Sequence, residues 1–435
     1  MMRLVAILSF TGILMFSALS STAQCTGARY RDYLFQDSAK ADVIYGLNLD
    51  YNGVSDTLKL DLHFPKSDPN PHARPLIIWA HAGDFIQGDK MDQDVLPLCQ
   101  SFARMGYVVA SINYREGLDN YPTPGPDTLT VTRALIRAMQ DARASVRFFR
   151  NSFANGNPYG IDTSMIFFGG TSTGGMVALH LAYLNSMSDF PLWCDTTKTG
   201  MGGGLQGLSG TKYYTATTTP VPSNVSAVIS ICGAITDTSW IHAGGIPVIC
   251  FHGDSDKTIP YGSGTLYLES SFKVKQVQGS YNVIRRASNQ GLTTCFYEYV
   301  QQDNLPEVSP LGSGPAFLDT TLNLTRNFLA TFTCGDTLHC NYRNRFVLGV
   351  KEQVHALSLQ AYPNPALASV TLEWASPEEG KAELVLYSSM GQELRHYQTV
   401  TARPFTLERG NLASGLYFIA VRCQGTQSVI RIVFN

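Results

Sequence analysis

The sequence predicts an α/β fold with a doubly wound, mostly parallel sheet, followed by a small C-terminal β-sandwich. Three observations predict it. Short continuous apolar runs alternate with helix-spaced patterns through the body of the chain. From about Ser358 the pattern changes to short strands punctuated by turn residues. With 435 residues, 44% hydrophobic and 15% charged, the chain is long and apolar enough for a large core and a second domain. Lys and Arg number 32 against 34 Asp and Glu, a net charge of −2. That balance, without a basic block, argues against nucleic acid or an anionic membrane as the main partner.

The chain opens with Met1-Met2-Arg3, an apolar run over 4–20, and the small residues Ser21-Thr22-Ala23 before Gln24. This reads as a signal peptide over 1–23, and the run is short for a bilayer span. Gln24 before Cys25 matches a lipoprotein cleavage site poorly, so export without lipidation is expected. All 9 cysteines follow the cut. Export makes them potential disulfide partners, and an odd number leaves at least one without an intrachain partner. Cys334 and Cys340 are close in sequence and are the expected pair. Cys232 and Cys250 sit in strand-like runs and are expected as buried free thiols. There is no C-x-x-C and no H-E-x-x-H, so no metal site is expected.

Residues 58–64 alternate Leu58, Leu60, Leu62 and Phe64 with polar residues, which predicts an antiparallel edge strand. The apolar runs 75–80, 107–112, 165–168, 225–232, 247–251 and 295–300 suit central parallel strands, buried on both faces. Between them, Leu135, Met139, Ala142, Val146 and Phe149 recur at helical spacing within 132–149. A mostly apolar helix over 176–184 has to be buried. Strands separated by helices give the doubly wound domain, placed at 24–335. A linker is expected over 336–357. The tail, 358–435, reads as strands at 370–374, 382–387, 395–400, 415–421 and 428–434.

The chemistry sits at strand ends. Gly170-Thr171-Ser172-Thr173-Gly174 is a G-x-S-x-G turn between a strand and a helix. Such a turn exposes the serine hydroxyl, and its glycines avoid the neighbouring strand and helix. Ser172 is the expected nucleophile. The Thr173 amide, at a helix N-terminus, is an expected oxyanion donor. The loop His81-Ala82-Gly83-Asp84-Phe85 follows an early strand, and the amides of Ala82 and Gly83 are the other expected donors. His81 is expected to orient this loop and Asp84 to be a polar loop residue. His252-Gly253-Asp254-Ser255-Asp256-Lys257-Thr258-Ile259-Pro260 ends a later strand. Asp256 is the expected catalytic acid, ahead of Asp254; a plain polar turn is the alternative.

In this order the motifs resemble α/β-hydrolase-fold esterases over 45–334. They are most similar to the feruloyl and acetylxylan esterase-like, or carboxylesterase-like, branch with an H-G-G-G-F-x-x-G-D-K loop. Here that loop is His81-Ala82-Gly83-Asp84-Phe85-Ile86-Gln87-Gly88-Asp89-Lys90. The resemblance implies hydrolysis of small or carbohydrate-linked acyl esters through an acyl-enzyme, without a cofactor. It also implies a histidine after the acid, in a Gly-His turn beyond the last strand. Gly312-Ser313-Gly314-Pro315 stands there instead, which puts Pro315 at the base position. Losing one member of a triad removes several orders of magnitude in rate. His242, in a loop before a strand, and His339, just past the domain, are candidate substitutes; His180 is expected in the core. The Gly-, Ser- and Thr-rich segment 198–222 is expected over the site. Two readings stay open: a serine esterase, and a catalytically impaired hydrolase-fold protein acting as a surface binding protein. A serine peptidase ranks below both, since no propeller-like repeats precede the domain.

The tail motifs Ala361-Tyr362-Pro363-Asn364-Pro365, Leu384-Val385-Leu386-Tyr387 and Ser414-Gly415-Leu416-Tyr417 resemble the type IX secretion C-terminal sorting domain of Bacteroidetes. The alternative is a carbohydrate-binding module. The resemblance implies the type IX machinery as a partner, and a secreted or cell-surface location reached through the periplasm. No integral membrane segment is expected after signal cleavage.

Overall fold

The computed structural model describes residues 25, 27–119, 121, 125–189, 197–208, 221–268, 272–308, 314–340, 359–374, 381–388, 393–400, 404–423 and 426–435. The signal segment and most of the expected linker lie outside them. The chain divides into two units, 1–346 and 347–435.

In the first unit, β1 (Gln36–Leu49), β2 (Ser55–Lys66) and β3 (Arg74–Ala80) precede α1 (Leu96–Met105) and β4 (Val108–Ile112). Next come α2 (Thr128–Ala154), β5 (Ile161–Thr171), α3 (Thr173–Tyr183), β6 (Ala227–Ile231) and the short β7 (Ala234–Ile235). β8 (Val248–Gly253), β9 (Ser263–Leu268), β10 (Phe272–Gly279), α4 (Ser280–Asn289), β11 (Thr294–Tyr299) and α5 (Gly314–Thr333) complete it. Eight strands form one sheet in the order β1-β2-β4-β3-β5-β6-β8-β11, and β7-β10-β9 form a small second one. From β4 to β11 the large sheet is parallel.

Strand alternation divides the core between the sheet's two faces. Ile77, Trp79, Val109, Phe167, Ile229 and Phe251 pack with residues of α1 and α5. Leu76, Ile78, Val108, Ala110, Phe168 and Val228 pack with α2 and α3. This two-sided burial is why the central strands read as unbroken apolar runs. β2 is not the edge: β1 pairs outside it, antiparallel. The first seven residues of β1, QDSAKAD, are polar or small, and of the alternating Val43, Tyr45, Leu47 and Leu49 the last two stay exposed, so the pattern does not mark the whole strand.

The expected Cys334–Cys340 bridge is replaced by two others, Cys25–Cys334 and Cys295–Cys340, each with a Cα separation of 5.4 Å. Closeness in sequence does not bring Cys334 and Cys340 together. The chain between them leaves the end of α5, beside the N-terminal segment, where Arg31 Nε donates to Asp336 at 2.7 Å, and runs to the start of β11. Cys99, Cys232 and Cys250 are buried free thiols.

The described part of 198–222 does not line the cavity beside the loop after β3. It is fastened along α2: Gln140 Nε2 donates to Gly204 O at 2.6 Å, Arg147 Nη2 to Gln206 O at 2.9 Å, and Arg143 Nη1 to Leu205 O at 3.2 Å. Residues 209–220 lie outside the described residues.

The second unit pairs β12 (Leu359–Tyr362), β13 (Ser369–Trp374) and β16 (Phe405–Glu408) in one sheet. The other joins β14 (Lys381–Ser388), β15 (Glu393–Val400), β17 (Gly415–Cys423) and β18 (Thr426–Phe434) in the order β15-β14-β17-β18. Val370, Leu372, Leu384, Leu386, Ile419 and Ile432 form its core. β12 and β16 are the two strands the sequence pattern does not show; each has only four residues. Among the described residues no helix is long and apolar enough to cross a membrane.

Candidate active site

β5 ends at Thr171, and Ser172 follows with φ 50° and ψ −116°, a strained conformation that caps α3. Ser172 N donates to Ile231 O at 2.8 Å, which ties the turn to the end of β6. The glycines are required by close approach. A Cβ at Gly170 would collide with the Gly174 carbonyl, and one at Gly174 with the carbonyls of Ala80 and His81. Thr173 is the first residue of α3, so its N–H has no intrahelical acceptor.

The loop after β3 curls through three positive φ values, at Gly83, Asp84 and Phe85. Gly83 O accepts the amides of Ile86 and Gln87 at 2.9 and 3.0 Å. His81 is buried, donates from Nδ1 to Ala82 O at 2.6 Å, and stacks on Tyr114 with ring centroids 4.4 Å apart. Tyr114 OH donates to His81 O at 3.0 Å. His81 therefore holds the loop from behind, and burial pushes its pKa down. Ala82 is a correction. Its amide donates to Asp94 Oδ2 at 2.8 Å and is committed to that carboxylate rather than open to an oxyanion. The same Asp94 oxygen accepts from the Thr171 hydroxyl, so one buried carboxylate joins the loop to the residue before Ser172. No acceptor for the Gly83 amide is found among the described residues, which leaves Gly83 and Thr173 as the two open donors.

Asp256 follows β8 with a fully buried side chain. Its Oδ1 accepts the amides of Thr258 and Ile259 at 2.8 and 2.9 Å. Its Oδ2 lies 3.2 Å from His252 Nε2 and accepts from Asn304 Nδ2 at 2.7 Å. Asp254 is exposed and accepts the Gln301 amide at 2.6 Å, which fixes the turn after β11.

Asn304 is thus the side chain of the loop after β11 that meets Asp256, beside His252 from β8. Pro315, expected there, is an exposed residue in the first turn of α5. The sequence expectation fails because the chain reaches the acid eleven positions earlier, through a loop pinned by Leu305 N on Cys232 Sγ at 3.3 Å. Neither substitute histidine is near. His242 is exposed, its carbonyl accepting from Gly245, in the loop that leads into the start of β8. That loop passes Tyr183, at the far end of the 11-residue α3, where Tyr183 OH donates to Ile246 O. Ser172 caps the near end, about 16 Å away along the helix. His339 is exposed beside Cys340, which is bonded to Cys295 at the start of β11, the opposite end of that strand from the site. His180 is in the core, as expected: Nδ1 donates to Met176 O at 2.7 Å, and burial lowers its pKa to about 3.

A cavity of about 830 Å³ opens between the loop after β3 and the loop after β11. Gly83, Gln87, Asp92, Gln93, Asp94, Asn304 and Leu305 are among its lining residues. One further group escaped the sequence reading. Glu307 is buried, neither carboxylate oxygen has a hydrogen-bond partner, and burial together with the nearby Asp94 raises its pKa to about 7. Nothing in a lone glutamate of a loop signals this. Among the described residues no three of His, Cys, Asp and Glu gather as a metal site.

A serine elbow at the carboxyl end of a parallel sheet, a glycine loop beside it and an acid after a later strand define the α/β-hydrolase fold. Residues 60–237 match the family model described as BD-FAE. Residues 360–435 match the Secretion system C-terminal sorting domain. The first unit thus has an α/β-hydrolase fold with a BD-FAE-like segment over 60–237, and the tail matches a sorting domain of the type IX secretion kind. The chain is 27% identical over 126 residues to carboxylesterase 3B of Mus musculus, covering 29% of this chain and spanning 20% of that relative's length. Among solved structures, esterase 2 of Thermogutta terrifontis phosphorylated by paraoxon is 18% identical, covering 68% of this chain and 94% of that one, with a TM-score of 0.47. The butyrate-bound form of the same esterase gives the same four values.

Proposed function

We propose that the protein is an exported serine esterase that attacks small or carbohydrate-linked acyl esters through Ser172. The observation that carries this is the strained Ser172 turn, beside the two open amides of Gly83 and Thr173. Ser172 Oγ adds to the ester carbonyl carbon, and the oxygen that gains charge is held by those amides. The C–O bond to the alcohol then breaks, leaving an acyl-serine that water hydrolyses to the carboxylic acid. The side chains of Gln87, Asp92, Gln93 and Asn304 in the wall of the adjoining cavity support a hydroxyl-bearing alcohol part. The sorting domain supports handling by type IX secretion machinery and a secreted or cell-surface location.

Ser172 is only 4% exposed, but a serine hydroxyl beside an oxyanion site retains weak catalysis without its base. Slow turnover of an activated aryl acetate is expected, with poor turnover of alkyl esters whose leaving group needs a proton. The test is a fluorophosphonate probe, which requires no knowledge of the substrate. The expected result is labelling of the wild-type protein and none of Ser172→Ala, with aryl acetate turnover lost in parallel. Absence of Ser172-dependent labelling would sink the esterase reading and leave the cavity as a binding site.

A further inference from the structure

Asn304 stands where the site requires a proton acceptor. Its Nδ2 donates to Asp256 Oδ2 at 2.7 Å, the bond by which an imidazole N–H would be held. The next residue, Leu305, is tied to Cys232 Sγ, and Cys232 follows Ile231, whose carbonyl holds the Ser172 amide. Asn304 also lines the cavity with Gly83. It is therefore fixed between the acid, the nucleophile's turn and the glycine loop. An amide oxygen can accept a hydrogen bond from a hydroxyl but cannot take its proton near neutral pH.

The geometry points to Asn304 as the occupant of the general-base position, so that the chain holds a complete site except for one imidazole, which Asn304→His restores. This rests on the esterase reading above. In the wild type, solvent hydroxide takes the Ser172 proton and becomes water, Oγ bonds to the carbonyl carbon, and the departing alkoxide takes a proton from water. In the variant, the imidazole takes the Ser172 proton, passes it to the alkoxide, and repeats both transfers with water as the attacking group. Asp256 has its Oδ2 already placed to orient that ring.

The two mechanisms differ in pH dependence. Without an internal base, log kcat/KM should climb with hydroxide across the neutral range. With one, it should level off above the imidazole's pKa, ordinarily about 6.5. The groups around this position are Asp256, His252 and Lys257 at and after the end of β8, Asp303 and Glu307 from its own loop, and Asp92 and Asp94 before α1. Glu307 is the rival base, since its buried carboxyl has no partner and titrates in the same range.

The experiment measures kcat/KM from pH 5 to 9, with an aryl acetate and an alkyl acetate, for wild type, Asn304→His, Asn304→Ala and Glu307→Gln. Probe labelling of Ser172 in each reports an intact site. The expected result is a gain of about a hundredfold or more on the alkyl ester for Asn304→His, the low end of general acid–base contributions. A new plateau limb should appear in that variant alone. Asn304→Ala and Glu307→Gln should keep the hydroxide-like slope. A labelled Asn304→His protein with neither gain nor plateau overturns the inference, as does loss of wild-type activity in Glu307→Gln. If no variant labels at Ser172, the esterase reading itself falls, and this inference with it.

Discussion

Glu307 carries a proton that the folded chain keeps and the unfolded chain releases. Its carboxyl lies in the interior without a partner, and burial raises its pKa from the ordinary 4.5 to about 7. Below pH 4.5 the group is protonated in both states. Between 4.5 and 7 only the folded state holds the proton, so stability falls as pH rises, and above 7 the loss is complete. The shift corresponds to about 3 kcal/mol at most. Asp94 is raised in the same direction by its own burial. Glu307→Gln is isosteric and uncharged, so its melting temperature should exceed the wild type's at pH 8 and approach it at pH 5. An unchanged difference across that range would refute the assignment. The same loop shows where single residues stop being legible in the sequence. Ser172 and Asp256 could be picked out because each follows a strand in a short fixed pattern. Asn304 and Glu307 follow no pattern, since their roles come from the path that the Leu305–Cys232 contact imposes. Counting glycines toward an expected Gly-His turn leads to Pro315, which the chain uses to start a helix.

The β5–Ser172–α3 unit depends on backbone approaching backbone. Gly174 packs against the carbonyls of Ala80 and His81, so the helix behind the serine rests directly on the end of β3 and its loop. Gly174→Ala should therefore cost roughly 3 kcal/mol, at the upper end of overpacking effects. It should also separate Thr173 from Gly83, the two amides proposed to hold the oxyanion. Chemical denaturation gives the first outcome and loss of fluorophosphonate labelling the second. Full labelling at wild-type stability would refute the close-approach account. At this scale the central strands were legible because burial on both faces writes an unbroken apolar run. β1 was not: it borrows its order from pairing with β2 rather than from its own side chains. α5 was missed as well, since Thr320, Thr321, Asn323 and Thr325 are buried polar residues that blur its apolar stripe.

Each of the two units has its own core, so the tail should be separable. Deleting 358–435 should leave the first unit folded, with the wild-type probe reaction, but held in the periplasm. Fractionation and labelling test the two halves separately, and appearance of the truncated protein in the medium would remove the sorting role. The two-domain plan was legible in the change of pattern near Ser358. The disulfides were not, because they join positions that only the folded chain brings together. The Cys25–Cys334 bond spans 309 positions and turns nearly the whole first unit into a closed ring. In the chain-entropy picture, such a ring removes about 6 kcal/mol of freedom from the unfolded state. A ring has no free end to lead with. While that bond is intact, an opening wide enough for one extended strand cannot pass the unit. It must admit two strands abreast or the folded body, so the order of oxidation and passage decides what size of gate the protein needs.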